Sequence, residues 1–232
     1  MWFNNNIAEA DSGTEKIAKR QSNAIILTGI AIAVLFKQVV GPYLIFKGAP
    51  PLFRLLVSDV LMWVTIALLY LYAVKVEGRE FFIWKDKPRT FWFYIAAIAV
   101  LFVAGSCCLF ISTIPERLGY HDNYTMMRYW RTVLKGDMPM LVFTCITAGF
   151  TEELQMRAFI LPRLYMLLKP PYFPIVVSAL IFSFLHLGYG SLGECIFTFG
   201  FGVVCALFYR KYQNIQILII FHFLYDLIVF LS

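Results

Sequence analysis

Charge is scarce in this chain: Asp, Glu, Lys and Arg make up only 15% of its 232 residues, against about 25% in a soluble domain. With 60% hydrophobic residues gathered in long blocks, that shortage excludes an ordinary water-soluble fold. No C-x-x-C pair occurs, and Cys107, Cys108, Cys145, Cys195 and Cys205 all lie inside apolar blocks. Neither a disulfide framework nor a cysteine zinc cluster is expected from them. No basic run is interleaved with polar readout residues, so the net charge of +6 does not point to nucleic acid. The polar stretch 1–23 carries Glu9, Asp11, Glu15, Lys16, Lys19 and Arg20. It lacks the short apolar segment and small-residue site of a cleaved signal peptide, so none is expected. Lipidation signals, internal repeats and low-complexity tracts are missing as well.

What is present is a series of apolar blocks near 24–46, 52–74, 91–113, 138–161, 172–187, 191–209 and 213–231. They predict an all-α fold, a polytopic membrane helix bundle of about seven to eight transmembrane helices. A single membrane domain, 1–232, accounts for the whole chain, with 138–231 as its motif-bearing helices. A span needs about 20 residues, so the fifth block is short and is expected to extend back through Pro170 or forward past Leu187. Lys37, Gln38 and Pro42 interrupt the first block, which predicts a bent or partly interfacial helix. Residues 123–135 repeat Tyr124, Met127, Trp130 and Leu134 at helical spacing, with Arg128, Arg131 and Lys135 on another face. That pattern predicts an amphipathic helix in the membrane interface. Twelve of the 20 Lys and Arg fall in connections on the side of the N-terminus and six on the other. The bias favours a multi-pass cell-membrane protein with a cytoplasmic N-terminus.

The informative residues are ionisable groups within apolar blocks, each costing roughly 2.5 kcal/mol or more at a helix centre. They are Glu152, Glu153 and Arg157 in block four, His186 in block five, Glu194 in block six, and His222 and Asp226 in block seven. Counted from Arg163, Pro174 and Lys211 as inner flanks, Glu152, His186 and His222 come to about 16, 18 and 16 Å depth at 1.5 Å per residue. Singly, each has a plain structural reading. Glu153 and Arg157, at i,i+4, read as an ion pair, and a lone His186 as an interhelical hydrogen bond. His222 with Asp226 reads as a structural bond or a proton relay, while Glu194 and Asp59 read as outer-interface residues. Glu152, His186, His222 and Asp226 at matched depth instead predict a functional polar cavity, with Phe182 as an apolar wall one turn before His186.

The order Glu152-Glu153-x-x-x-Arg157, Phe182-x-x-x-His186 and His222-x-x-x-Asp226 resembles the CAAX protease and bacteriocin-processing family of intramembrane proteases, also called CPBP or Abi. The likeness covers roughly 138–231. Ala158 stands where the family often has Gly, and Asp226 where it commonly has Asn. An ionised Asp226 cannot donate a hydrogen bond, but it can orient His222 or bind a metal.

The resemblance implies an intramembrane endopeptidase, opening to the cytoplasm, that acts on a membrane-associated peptide or protein. A prenylated C-terminus or a peptide precursor is a candidate substrate. Glu152 with His186 would activate water, His222 with Asp226 would stabilise the oxyanion, and Glu153 with Arg157 would support the helix. A second version binds zinc through Glu152, His186 and His222. The metal-free version is preferred because H-E-x-x-H is missing. Two other classes stay open: a proton-coupled membrane transporter, and a catalytically silent immunity or scaffold protein that binds a peptide.

Overall fold

The computed structural model describes residues 2–169 and 171–232, with side chains from Gln21 onward. Met1, Pro170 and the side chains of Glu9, Asp11, Glu15, Lys16, Lys19 and Arg20 lie outside the described residues, so the reading of Pro170 as part of block five does too. Among the described residues every regular element is helical. The chain is a helical membrane bundle. Its long helices are α1 (Trp2–Leu44), α2 (Pro51–Tyr72), α3 (Phe91–Ser112), α6 (Met138–Glu153), α8 (Phe173–Leu185), α9 (Leu192–Tyr212) and α10 (Ile215–Leu231). Shorter helices are α4 (Ile114–Arg117), α5 (Thr125–Lys135) and α7 (Leu161–Leu167).

Local chemistry sets the starts. Thr90, Asp137, Ser191 and Asn214 cap α3, α6, α9 and α10, each side chain accepting from a backbone N–H in the first turn. Capping frees those amides from needing water at the membrane face. Four stretches are long and apolar enough to cross a bilayer: Gln21–Leu44, Pro51–Glu77, Phe91–Arg117 and Leu192–Tyr212. Phe173–Tyr189 and Ile215–Leu231 are apolar but shorter. The sixth helix continues through a wide π-helical segment, Leu154–Ile160, into α7, and every residue of that segment is buried. Pro162 follows closely. Its ring crowds the carbonyl four residues back and it donates no N–H, so a widened turn before it relieves the clash. This rod is central: α1, α2, α8, α9 and α10 all touch the π segment.

Two expectations need revision and two gain detail. The fifth block does not lengthen into a full span. The α8 helix covers 13 residues, about 20 Å at 1.5 Å per residue, and ends before His186, which caps it. The first block is one helix that runs through Lys37 and Pro42. The expected amphipathic helix is present as α5, and it also packs on the bundle. Leu134 is buried, and Arg131 and Lys135 donate to the Val229 and Ser232 carbonyls at the C-terminal end of α10, where cations complement the helix dipole. Finally, Arg163 is not an exposed inner flank. It is fully buried and bound to Glu77 across the bundle, so depths counted from it as a membrane boundary do not hold.

Candidate active site

The site is assembled by α6 meeting α10. A Cβ on Gly149 would stand 2.8 Å from the Phe223 nitrogen and 3.1 Å from the Ile219 carbonyl oxygen. Only glycine permits that approach, and it brings Glu153 to His222. The His222 Nδ1 lies 2.8 Å from Glu153 Oε1. Because a carboxylate only accepts, Nδ1 carries the hydrogen and Nε2 faces the other way. On that side Asp226 Oδ2 is at 3.6 Å and Glu152 Oε2 at 3.9 Å. Glu153 is sealed at 0% exposure, whereas Glu152 and Asp226 keep 21% and 25%. The two adjacent glutamates are therefore placed for different work. Glu153 is packed behind the imidazole, and Glu152 opens on a void.

Arg157 Nη1 sits 3.0 Å from Glu153 Oε1, as the i,i+4 spacing predicted, and its guanidinium lies 4.8 Å over the Phe182 ring. The pair is poorly satisfied. Arg157 Nε, Nη1 and Nη2 and Glu153 Oε2 are buried without an aligned hydrogen-bond partner. Phe182 does form a wall, with its ring 4.7 Å from that of His186 and 6.4 Å from that of His222.

His186 comes from a helix end and not from mid-span. Its Nδ1 is 2.8 Å from the Phe182 carbonyl. A carbonyl only accepts, so Nδ1–H donates and, in the neutral ring, Nε2 presents a lone pair. Tyr189, on the short turn that follows, stacks on the imidazole at 5.9 Å. Irregular backbone at this depth is tolerated where it lines a cavity.

Glu152, His186, His222, Asp226 and Phe182 line one cavity of about 180 Å³. A smaller chamber of about 110 Å³ shares Glu152, Phe182, His186 and Tyr189 with it. Sequence reasoning missed several lining groups: Lys37, Asp59 and Tyr189, together with Glu194, which it left at the outer interface. Asp59 is buried and accepts from the Thr144 hydroxyl at 2.8 Å. The available signal was that Lys37, Asp59 and Glu194 are also charges within apolar blocks. The expected orienter of His222 also changes. Glu153 holds Nδ1, while Asp226 stands on the Nε2 side.

The cavity lies among the C-terminal part of α1, the N-terminal part of α2, α5, the start of α9 and the end of α10. That half of the bundle is opposite the N-terminal end of the Gln21–Leu44 span. On the same side, Asp122 secures the turn after His186. It accepts from Ser191 Oγ at 2.9 Å, Leu192 N at 2.9 Å and Gly193 N at 2.6 Å. Burial pushes this carboxyl up, but those bonds and one from the Asn123 amide outweigh it and hold it below the ordinary carboxylate value.

Among the described residues no three His, Cys, Asp or Glu side chains gather as a group that could hold a metal ion. One imidazole nitrogen of each histidine is engaged, by Glu153 or by the Phe182 carbonyl, which leaves Nε2 of each ring on the other side, an arrangement also found in metal-ligating histidines.

Residues 134–228 match the family model described as type II CAAX prenyl endopeptidase Rce1-like. The matched segment bears the three motifs, and what it matches is a family of membrane proteases, the CAAX proteases. No curated protein and no solved structure matches the chain.

Proposed function

We propose that this chain is an intramembrane endopeptidase in which Glu152 and His186 activate water and His222 stabilises the oxyanion. The observation that carries the reading is the convergence of Glu152, His186, His222 and Asp226 on one cavity between α6, α8 and α10. The substrate is a membrane-associated peptide or protein, and the whole chain acts as one membrane domain.

In this mechanism a water in the cavity gives a proton to the Glu152 carboxylate, oriented by the Nε2 lone pair of His186. Its oxygen attacks the scissile carbonyl. The negative oxygen that forms is met by a hydrogen on His222 Nε2, so the ring acts as an imidazolium. Glu153 behind it and Asp226 beside it supply compensating charge. The proton then moves from Glu152 to the leaving nitrogen as the C–N bond breaks. An ionised Asp226 cannot donate to the oxyanion, so its part is negative charge beside the His222 ring. With the N-terminus inside, as the Lys and Arg distribution favours, the cavity opens toward the outer half of the membrane.

Detergent-purified protein and a fluorogenic peptide library test this directly. Glu152→Gln should lose nearly all turnover, because an amide keeps the shape but takes no proton. His222→Ala should lose about 100-fold or more, as lost oxyanion donors do, and Asp226→Asn should change turnover little. Strong chelators should leave the wild type active. Equal activity of wild type and Glu152→Gln would remove the proposal. Stoichiometric zinc held by both histidines would replace only its metal-free form.

A further inference from the structure

Lys37 is a charge that neither the motifs nor the mechanism uses. It lies near the end of α1, outside the matched segment 134–228. Its side chain lines both the larger cavity and the smaller chamber, and no other Lys or Arg lines either. In both it shares the wall with Glu152 and His186. A cation within a membrane bundle is costly unless paired, and the buried arginines obey that rule, with carboxylate oxygens at 3.0 Å from Arg157 and 2.5 Å from Arg163. Lys37 does not. Among the described residues no carboxylate oxygen lies within 4.0 Å of its ammonium. Asp59 is engaged by Thr144 at 2.8 Å, and Glu152 has its nearer charged neighbour in His222 at 3.9 Å. A structural counter-ion would sit in contact with one of them; this ammonium instead borders the void beside the proposed base.

We propose that Lys37 is a specificity-determining residue that binds a carboxylate of the substrate, an acidic side chain or a free C-terminus, close to the bond that is cut. The inference rests on the protease reading of the same cavity. A carboxylate entering from water loses its hydration, and a waiting half-buried ammonium returns a charge-assisted hydrogen bond. A neutral peptide leaves the ammonium unpaired. An ammonium is a compact charge and not a planar fork, so it reads charge more than the shape of the group bearing it. The preference should act on ground-state binding, and so on KM more than kcat.

The test uses full-length protein in detergent and one apolar quenched peptide. Glu, Gln or Lys is walked along it, and each version is made with a free or an amidated C-terminus. Wild type should favour one carboxylate position, or the free C-terminus, by about tenfold or more in kcat/KM. Lys37→Gln should erase that ratio through KM, Lys37→Arg should retain part of it, and Lys37→Glu should move the preference to a Lys-bearing peptide. The same peptides are titrated against Glu152→Gln by tryptophan fluorescence, which reads binding without cleavage. A carboxylate preference in binding that Lys37→Gln removes supports Lys37 even if nothing is cleaved, a result that would sink the protease reading alone. Cleavage or binding with no carboxylate preference overturns the proposal. So does a Lys37→Gln variant that keeps the preference, or that loses kcat equally on every peptide.

Discussion

Arg157 and Arg163 lie on one continuous helical rod, both sealed from solvent and each beside a glutamate, yet their surroundings differ. Arg163 directs Nε at both Glu77 oxygens, at 2.9 and 3.0 Å, and Nη2 at 2.5 Å, and gives Nη1 to the Phe159 carbonyl at 3.0 Å. Arg157 approaches Glu153 at 3.0 Å but has no aligned hydrogen bond, and Glu153 Oε2 has no partner. The first pair ties the end of the second helix, through Glu77, to the rod and leaves little capacity unused. The second shares one oxygen, Glu153 Oε1, between the guanidinium and His222. Unsatisfied polar groups in a sealed interior call for a reason. Here it is that Glu153 serves an imidazole on the cavity wall as well as an arginine.

If that contrast is sound, the largest stability effect belongs to the satisfied pair. Arg163→Met strands the Glu77 carboxylate and should cost about 3–5 kcal/mol, seen as loss of monodisperse protein and of thermal stability in detergent. The double change Arg163→Met with Glu77→Met should recover much of it, since apolar replacement of a buried pair is often neutral. Wild-type yield from Arg163→Met would erase the distinction.

Next comes Arg157→Ala, which should lower both folded yield and activity. The stability loss should be smaller, about 1–3 kcal/mol, because fewer bonds are broken. Normal yield with activity gone would instead mean that Arg157 contacts substrate. A finer probe is Gly149→Ala. The added carbon has to push α10 outward, costing about 1–3 kcal/mol, and should lower turnover by moving His222 from Glu152. Unchanged activity would show that the α6–α10 spacing does not set the site.

The smallest effect is expected at a carboxylate outside both pairs. Asp122 is held below its ordinary value of about 3.8, so its contribution is present above that pH and is lost as pH falls through its folded value. The melting-temperature gap between wild type and Asp122→Ala should be constant near neutrality and narrow below about pH 3.8. A gap that widens on acidification would contradict the hydrogen-bonded capping of α9.

Much of this was readable beforehand, and residue type explains which part. Glu153 and Arg157 meet because i,i+4 side chains share a helix face whatever surrounds them. Arg131 and Lys135 were legible as a cationic face of an amphipathic helix, but not as donors to the last carbonyls of α10, almost a hundred residues away. His186 was found by its position in an apolar block. That α8 stops one residue earlier was hidden, since hydropathy continues past the turn. Lys37, Asp59 and Glu194 were visible as misplaced charges and were set aside singly, because hydropathy along a helix does not reveal which neighbour a side chain meets.

The sequence alone determined the membrane environment, the helical blocks and the residue types able to do proton chemistry. These follow from local properties: transfer cost per residue and helical period. Only the tertiary structure decided that Glu153 and not Asp226 holds His222 Nδ1, that Arg163 binds Glu77 across 86 positions, and that Lys37 borders the void beside Glu152. Each depends on which helix faces touch and how closely. That is set by the packing of the whole bundle, through contacts such as Gly149 against α10, and a charge buried against its partner reads in sequence the same as one that has none.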